Sequence, residues 1–441
     1  MSREEVGRPM QKQEDYVLRT VEERRIRFIR LWFTDISGSL KSFAITPTEL
    51  ENAFTEGMRF DGSAIDGFTR DQESDMLAMP DAHTFQILPW RRGDGGVARM
   101  FCDIVSPDGE PFEGDPRWVL RKNLRNAADL GYSFYVGPEV EYFYFKDSGP
   151  DPEVLDRGGY FDLTPLDVAQ EYRRDTIMAL EKLGIPVESS HHEVSPSQHE
   201  LDLRHSDALS MADNLVTTRL AVKEVAMEHG IYATFMPKPL EGFDGSGMHL
   251  HLSLFENDTN AFFEEGAEHH MSKVGRAFMA GLLAHAREIT AITNQWVNSY
   301  KRLVSGFDAP IYQSWSQRDQ SAVLRVPQAK KGKSASTRIE YRAPDPACNP
   351  YLALSVILAA GLAGIEGDYD LADSPEPQAA GRDRMPASLA EALDAMEQSS
   401  LVRNTLGDHV FEWFLRNKRD EWDRYSHHVS RFELEQYLPI L

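Results

Sequence analysis

Carboxylates in this 441-residue chain fall at spacings that would gather them. GPEVEYF sets Glu139 and Glu141 two residues apart, so an extended segment points both to one face. HHEVSPSQHE, residues 191–200, carries Glu193 and Glu200 on either side of a Pro/Ser turn, where the arms of a hairpin converge. GSGMHLHLSL gives His249 and His251 a common face, and TRIEYRAP does the same for Arg338, Glu340 and Arg342. Five carboxylates and a histidine in one cavity repel one another unless something positive lies between them. Oxygen-rich donors with a single imidazole suit Mg2+ or Mn2+ better than zinc.

Taken singly, each motif has a plainer reading. A Glu-x-Glu on a strand is commonly a solvated face, and a buried histidine is more often hydrogen-bonded than metal-bound. HHEVSPSQH is not the zinc-protease motif: the next histidine after Glu193 is six positions on, and Pro196 breaks the helix that motif requires. GKS at 332–334 is not a P-loop, because Pro327 stands where its first glycine belongs.

These residues need elements to hold them. IRFIRLWFTD and LKSFAI (26–45) read as two strands around a glycine-containing turn, followed by a helical PTELENAFTEG. HTFQILPW and GVARMFCDIV read as strands. PDGEPFEGDPRW (107–118), dense in Pro, Gly and Asp, marks a boundary between a domain at 14–110 and one at 115–441. In the second, DPRWVLRKNLRNAADLG, PLDVAQEYRRDTIMALEKLG and DALSMADNLVTTRLAVKEVAMEHG read as helices, and YSFYVGPEVEYFYF and GMHLHLSLF as strands. Helices cover most of 270–302 and 350–366. A loop at 374–386 follows, then helices to the end. The expected class is α+β, with a largely antiparallel sheet backed by helices.

A formal charge of −23 excludes a nucleic-acid surface, which needs clustered Lys and Arg. Two cysteines, Cys102 and Cys348, build no disulfide framework and favour a cytoplasmic address. The N-terminus lacks the apolar core of a signal peptide, and no stretch approaches the roughly 18 apolar residues of a membrane span.

In order and spacing, DGSAIDGF, GPEVEYF, HHEVSPSQHE, FMPKPL, GSGMHLHLSLF, NSYKRLVSGFDAP and RIEYRAPDPACNPYLALS resemble the type I glutamine synthetases, from about residue 14 onward. The resemblance implies an N-terminal β-grasp domain, a catalytic domain, and a homododecamer of two hexameric rings with active sites between subunits. It implies ATP-dependent conversion of glutamate to γ-glutamyl phosphate, then displacement of phosphate by ammonia, with two or three Mg2+ or Mn2+ ions per site. By that pattern Glu141, Glu193 and Glu200 hold the metal near glutamate, and Glu139, His249 and Glu340 the one on the ATP phosphates. Arg302, Arg342 and Gly245 match glutamate contacts. Glu188, His251 and Ser253 match nucleotide contacts, Arg325 and Arg338 the arginines on the ATP side, and Asp61 the acid that binds ammonium from an adjacent subunit.

Three positions depart from the pattern. The flap reads GFDAP, so Asp308 stands where the family carries Glu, with a reach shorter by ~1.5 Å. Gln320 replaces an arginine that touches the transferring phosphoryl group, and Asp244 replaces the Asn before the substrate-binding glycine. Three readings stay open: an ammonia ligase, a γ-glutamylamide synthetase taking an organic amine or polyamine, and a homologue that has lost efficient turnover. Tyr369 lacks an adenylylation context. Arg70 matches a feedback arginine of one subgroup or, equally, is a surface salt-bridge residue.

Overall fold

The computed structural model describes residues 3–67, 75–90, 95–328, 334–372 and 383–441, with side chains from residue 11 onward. Arg70 and most of the GKS stretch lie outside the described residues. Among those described, the strands form two sheets. The first contains β1 (Ile26–Thr34), β2 (Leu40–Ile45), β3 (Met58–Asp61), β4 (Asp75–Pro80), β5 (Gln86–Ile87) and β6 (Gly96–Val105), in the order β2-β1-β6-β4-β3 with β5 beside β6. Its β1 and β6 run parallel and its other pairs antiparallel.

The second sheet contains β7 (Ser133–Phe145), β8 (Val187–His192), β9 (Gln198–Leu203), β10 (Ser206–Asp207), β11 (Tyr232–Thr234), β12 (Met248–Glu256), β13 (Thr259–Asn260), β14 (Tyr312–Ser316), β15 (Ala322–Arg325) and β16 (Ile339–Tyr341). Its order is β14-β15-β16-β12-β7-β9-β8, antiparallel except for β14 with β15. One face of β7 carries Val136, Val140 and Tyr142 into the main core with the helices Ala208–Glu228, Lys273–Thr293 and Pro350–Glu366. The opposite face keeps the polar residues. Alternation along the strand separates the two.

The hairpin at 191–200 forms as expected, and Ser197 takes the left-handed φ of +61° at its turn. Two expectations are corrected. HTFQILPW gives only the short β5, because Ala82–Thr84 turns as a 3-10 helix before it. The helix expected from Pro165 starts at Gln170, where buried Asp167 accepts from the Ala169 N–H and pairs with Arg173. Helices cover most of 270–302 as expected, as Lys273–Thr293 and Ser299–Arg302. The polar N-terminus also forms a helix, Arg3–Glu23, which docks Val17 and Val21 on the first sheet at the i, i+4 spacing of one helical face.

The two sheets are tied by buried polar contacts. Arg117 bonds to Asp213 on the side of the second sheet and to Asp81 (2.9 Å) on the other, and Asn349 Nδ2 donates to the carbonyls of Asp35 and Ile36.

Candidate active site

Strand register lays three rows of side chains across the polar face of the second sheet. Glu141, Glu200 and His191 are successive cross-strand partners; His249, Glu139 and Asp202 make the next row; Arg325, Glu340 and His251 make the third. Rows two residues apart stand roughly 7 Å from each other along a strand. All six residues expected to ligate cations therefore meet on one face or at its hairpin.

Ligand atoms of Glu139, His249 and Glu340 lie within 4.8 Å of one another. Glu139 stands 3.2 Å from His249 Nδ1 and accepts from His251 Nε2 at 2.7 Å. Arg338 Nε donates to His251 Nδ1, so the proton of that ring sits on Nε2 and His251 is a donor rather than a ligand. Burial opposes the charge on Glu139, but the hydrogen bonds from His249 and His251 outweigh it and hold the carboxyl well below its ordinary range. Glu340, fully buried, accepts from Arg325 and from Arg342.

In the neighbouring row the balance is reversed. Burial and then the Glu193 charge push Glu141 up to about 8, against the Gly247 N–H that donates to its Oε2 at 2.9 Å. Glu200 is raised by burial and then by Glu141 and Asp202. Glu193 accepts from His191 Nε2 at 2.7 Å, and the same nitrogen is 3.7 Å from Glu200. Carboxylates crowded to this degree, with one imidazole nearby, fit hard divalent cations.

His191, Glu200 and Asp202 also bring ligand atoms within 4.8 Å of one another, and so does a buried group of Asp156, His192 and His199. The buried group is not a cation cage. Arg173 Nη1 donates to His199 Nδ1 at 2.9 Å, which leaves the proton on Nε2 and sets a guanidinium beside the ring. Asp156 instead accepts from the Ser197 N–H (2.8 Å) and faces His192 Nε2 (3.0 Å), bracing the hairpin.

At the end of the polar face, Arg302 is 1% exposed and donates to the carbonyls of Ala343, Pro344 and Arg342. The buried Nε atoms of Arg302 and Arg342 have no hydrogen-bond partner among the described residues. Arg342 Nη2 donates to Asp308 Oδ1, and Asp308 N–H donates to Asp244 Oδ1. Two glycines are required by close approach: a Cβ on Gly245 would lie 2.3 Å from the Pro237 carbonyl oxygen, and one on Gly247 would lie 2.6 Å from Arg302 Nη2.

Other expected residues lie apart from this contact network. Asp61 is exposed at the end of β3, accepting from the Ser63 N–H. Glu188 is exposed on β8, Ser253 is half-buried opposite Tyr135, and Gln320 is exposed between β14 and β15. Tyr369 is exposed and stacks on His285.

Sequence reasoning passed over His191, Gln198 and Asp202. Gln198 Nε2 donates both to Glu141 Oε2 (2.9 Å) and to the Gly245 carbonyl (3.1 Å), joining cation and substrate groups. The alternation Gln198-x-Glu200-x-Asp202 was the available signal. Tyr160, stacked on Phe161 and edge-on to His191, was also missed. Burial and then Glu193 and Glu200 raise its hydroxyl pKa.

Comparison with known proteins gives the family. Residues 25–107 match the family described as glutamine synthetase, beta-Grasp domain, and residues 113–437 match glutamine synthetase, catalytic domain. The chain is 53% identical over 446 residues to a glutamine synthetase of Mycolicibacterium smegmatis, covering 98% of this chain and 100% of that one. It is 49% identical over 439 residues to one of Methanosarcina mazei, covering 96% and 97%. A solved structure titled "GmaS/ADP complex-Conformation 1" superposes with a TM-score of 0.87 at 30% identity, covering 96% of this chain and 99% of that one. The α+β class with a β-grasp domain stands, and the chain belongs to the glutamine synthetase family.

Proposed function

We propose that this protein is an ATP-dependent ligase that activates the side-chain carboxylate of glutamate as γ-glutamyl phosphate and transfers the acyl group to ammonia, giving glutamine. The observation that carries this reading is the adjacency, on one sheet face, of the Glu139, His249 and Glu340 cluster, the crowded row of Glu141 and Glu200, and Arg302 and Arg342, whose buried Nε atoms have no hydrogen-bond partner among the described residues. Glu141, Glu193 and Glu200 would hold one Mg2+ or Mn2+ and Glu139, His249 and Glu340 another. When bound, such ions neutralise the two anions that phosphoryl transfer brings together.

The chain's own groups do the rest. Arg302 and Arg342 bind the carboxylates of glutamate with planar forks, and the backbone at Gly245 aligns the amino-acid end. Arg325 and Arg338, with Glu188, His251 and Ser253, orient the nucleotide. Gln320 offers a neutral amide to the phosphoryl group. Asp308 covers the intermediate, excludes water and accepts a proton from ammonium, and Asp61 of a neighbouring copy binds that ammonium. Domains at 14–110 and 115–441, a dodecamer and a cytoplasmic address belong to the same reading. It is supported by the two separate sheets and by two buried free cysteines. Among the described residues, no helix is long and apolar enough to cross a membrane.

A second reading, a γ-glutamylamide synthetase, rests on the short acid at 308 and its neighbour Asp244, a pair of charges suited to a cationic amine. Such an amine, with a pKa of about 10.4, still needs a base at neutral pH. Phosphate release from ATP and glutamate, compared across ammonia, ethanolamine, putrescine and methylamine, decides between them. A preference for ammonia supports ligation to glutamine, and a preference for an organic amine supports the second reading. Silence throughout removes both.

A further inference from the structure

Lys238 belongs to none of the groups discussed so far. Its backbone is clamped by the Asn298 side chain, which accepts from the Lys238 N–H (2.7 Å) and donates to its carbonyl (3.0 Å). Its ammonium group then reaches two segments at once. It donates to the Phe243 carbonyl, in the strap that carries Asp244 and Gly245, and it sits 3.6 Å from the ring centroid of Phe307. Phe307 precedes Asp308 in the 304–309 flap, whose Gly306 turns at a φ of +93°.

The flap is otherwise held to the strap and sheet through Asp308, by its N–H on Asp244 and its carboxylate on Arg342. A glutamate carboxylate arriving at Arg342 competes with Asp308 for that guanidinium. The carboxylate contact is therefore the one that substrate binding weakens, whereas the Lys238 contact does not involve Arg342. Partial burial lowers the pKa of the ammonium, and the nearby Asp244 charge opposes that shift without cancelling it.

We propose that Lys238 is a positioning residue that latches the flap to the substrate strap through the Phe307 ring, keeping the site shut once substrate has taken Arg342. This rests on the ligase reading above. An open flap admits water. Water adds to the acyl carbon of γ-glutamyl phosphate, the bond from that carbon to the phosphate oxygen breaks, and glutamate and inorganic phosphate are released without glutamine.

The full-length protein and its Lys238→Met, Lys238→Arg and Phe307→Leu variants test this. In Lys238→Met, the phosphate released in excess of glutamine, per glutamine formed, should rise about tenfold, the factor one partly desolvated cation–π contact carries. Lys238→Arg should restore the ratio, since guanidinium also stacks on a ring, and the double variant Lys238→Met/Phe307→Leu should be no worse than either single one. Amide hydrogen exchange across 304–309, read without substrates, should quicken by a similar factor in both single variants. Unchanged exchange and an unchanged ratio in a folded Lys238→Met protein overturn the latch. If Lys238→Met fails to fold, Phe307→Leu alone decides, by the same two readouts. If the parent makes no glutamine, the ligase reading fails, and hydrogen exchange still judges the latch.

Discussion

Arg342 donates from Nη2 to Asp308 Oδ1 at 2.6 Å, while its Nη1 stands 3.3 Å from Glu340 Oε1. One guanidinium thus joins the flap acid Asp308 to Glu340, a residue of the proposed cation site, so the state of the flap is expected to follow the occupancy of Arg342.

Flap length is the first handle. Asp308→Glu should raise kcat/KM with ammonia relative to methylamine by about tenfold, since the longer acid regains reach without leaving Arg342, and misplacement of ~1 Å costs up to ~100-fold. Steady-state kinetics with both amines check this; an unaltered preference removes flap length as the determinant.

Glu340 and Glu141 are expected to be indispensable. Glu340→Ala leaves Arg325 and Arg342 facing an empty buried position, at a cost of about 3–5 kcal/mol. Glu141→Ala removes the carboxylate that Gly247 and Gln198 orient. Both variants should lose ATP-dependent ligation and weaken Mn2+ binding measured by electron paramagnetic resonance. Full turnover in either purified protein would refute its assignment.

Cation affinity should depend on pH with a definite sign. Glu141 is held at about 8 by burial and by Glu193, so below that pH it carries a proton that a metal ion must displace. Affinity for Mg2+ should therefore increase from pH 6 to 8 by up to about tenfold per unit, then level off. Calorimetry in two buffers of different ionisation enthalpy should register proton release below pH 8 and little above it.

Gly247→Ala is expected to act on substrate binding. The new methyl group meets Arg302 Nη2 at 2.6 Å and displaces a guanidinium whose other bonds are to backbone carbonyls. The KM for glutamate should rise roughly tenfold or more while the KM for ATP stays within about twofold. Equal rises in both would point to general unfolding of the site.

Gln320→Arg should raise kcat, because a cation beside a transferring phosphoryl group is typically worth about 3–4 kcal/mol in the transition state. Gln320 is exposed, so the substitution carries little folding penalty. A fall in kcat would mean that the pocket has adapted to the amide.

Much of the site was legible because a strand has a period of two. Glu139 with Glu141, His249 with His251, and Arg338 with Glu340 and Arg342 share faces by local geometry alone, and Pro196 announces the turn between Glu193 and Glu200. The helix at Arg3–Glu23 was less legible, since its buried stripe shows only two valines in the described part. The strand read from HTFQILPW shrank to two residues because a turn bonded through Asp81 competes for its first half.

The chain by itself determined which side chains lie on the same side of each strand, because backbone sterics act between neighbours. Only the tertiary structure decided which strands meet and in what register. It set His249 against Glu139 across 110 residues and Arg325 beside Glu340, gave His191 to Glu193 and His192 to the brace at Asp156, and closed Asp308 onto Arg342. Those pairings follow from burying the apolar face of the sheet against its helices, which depends on contacts among distant parts of the chain, and no short stretch carries that information.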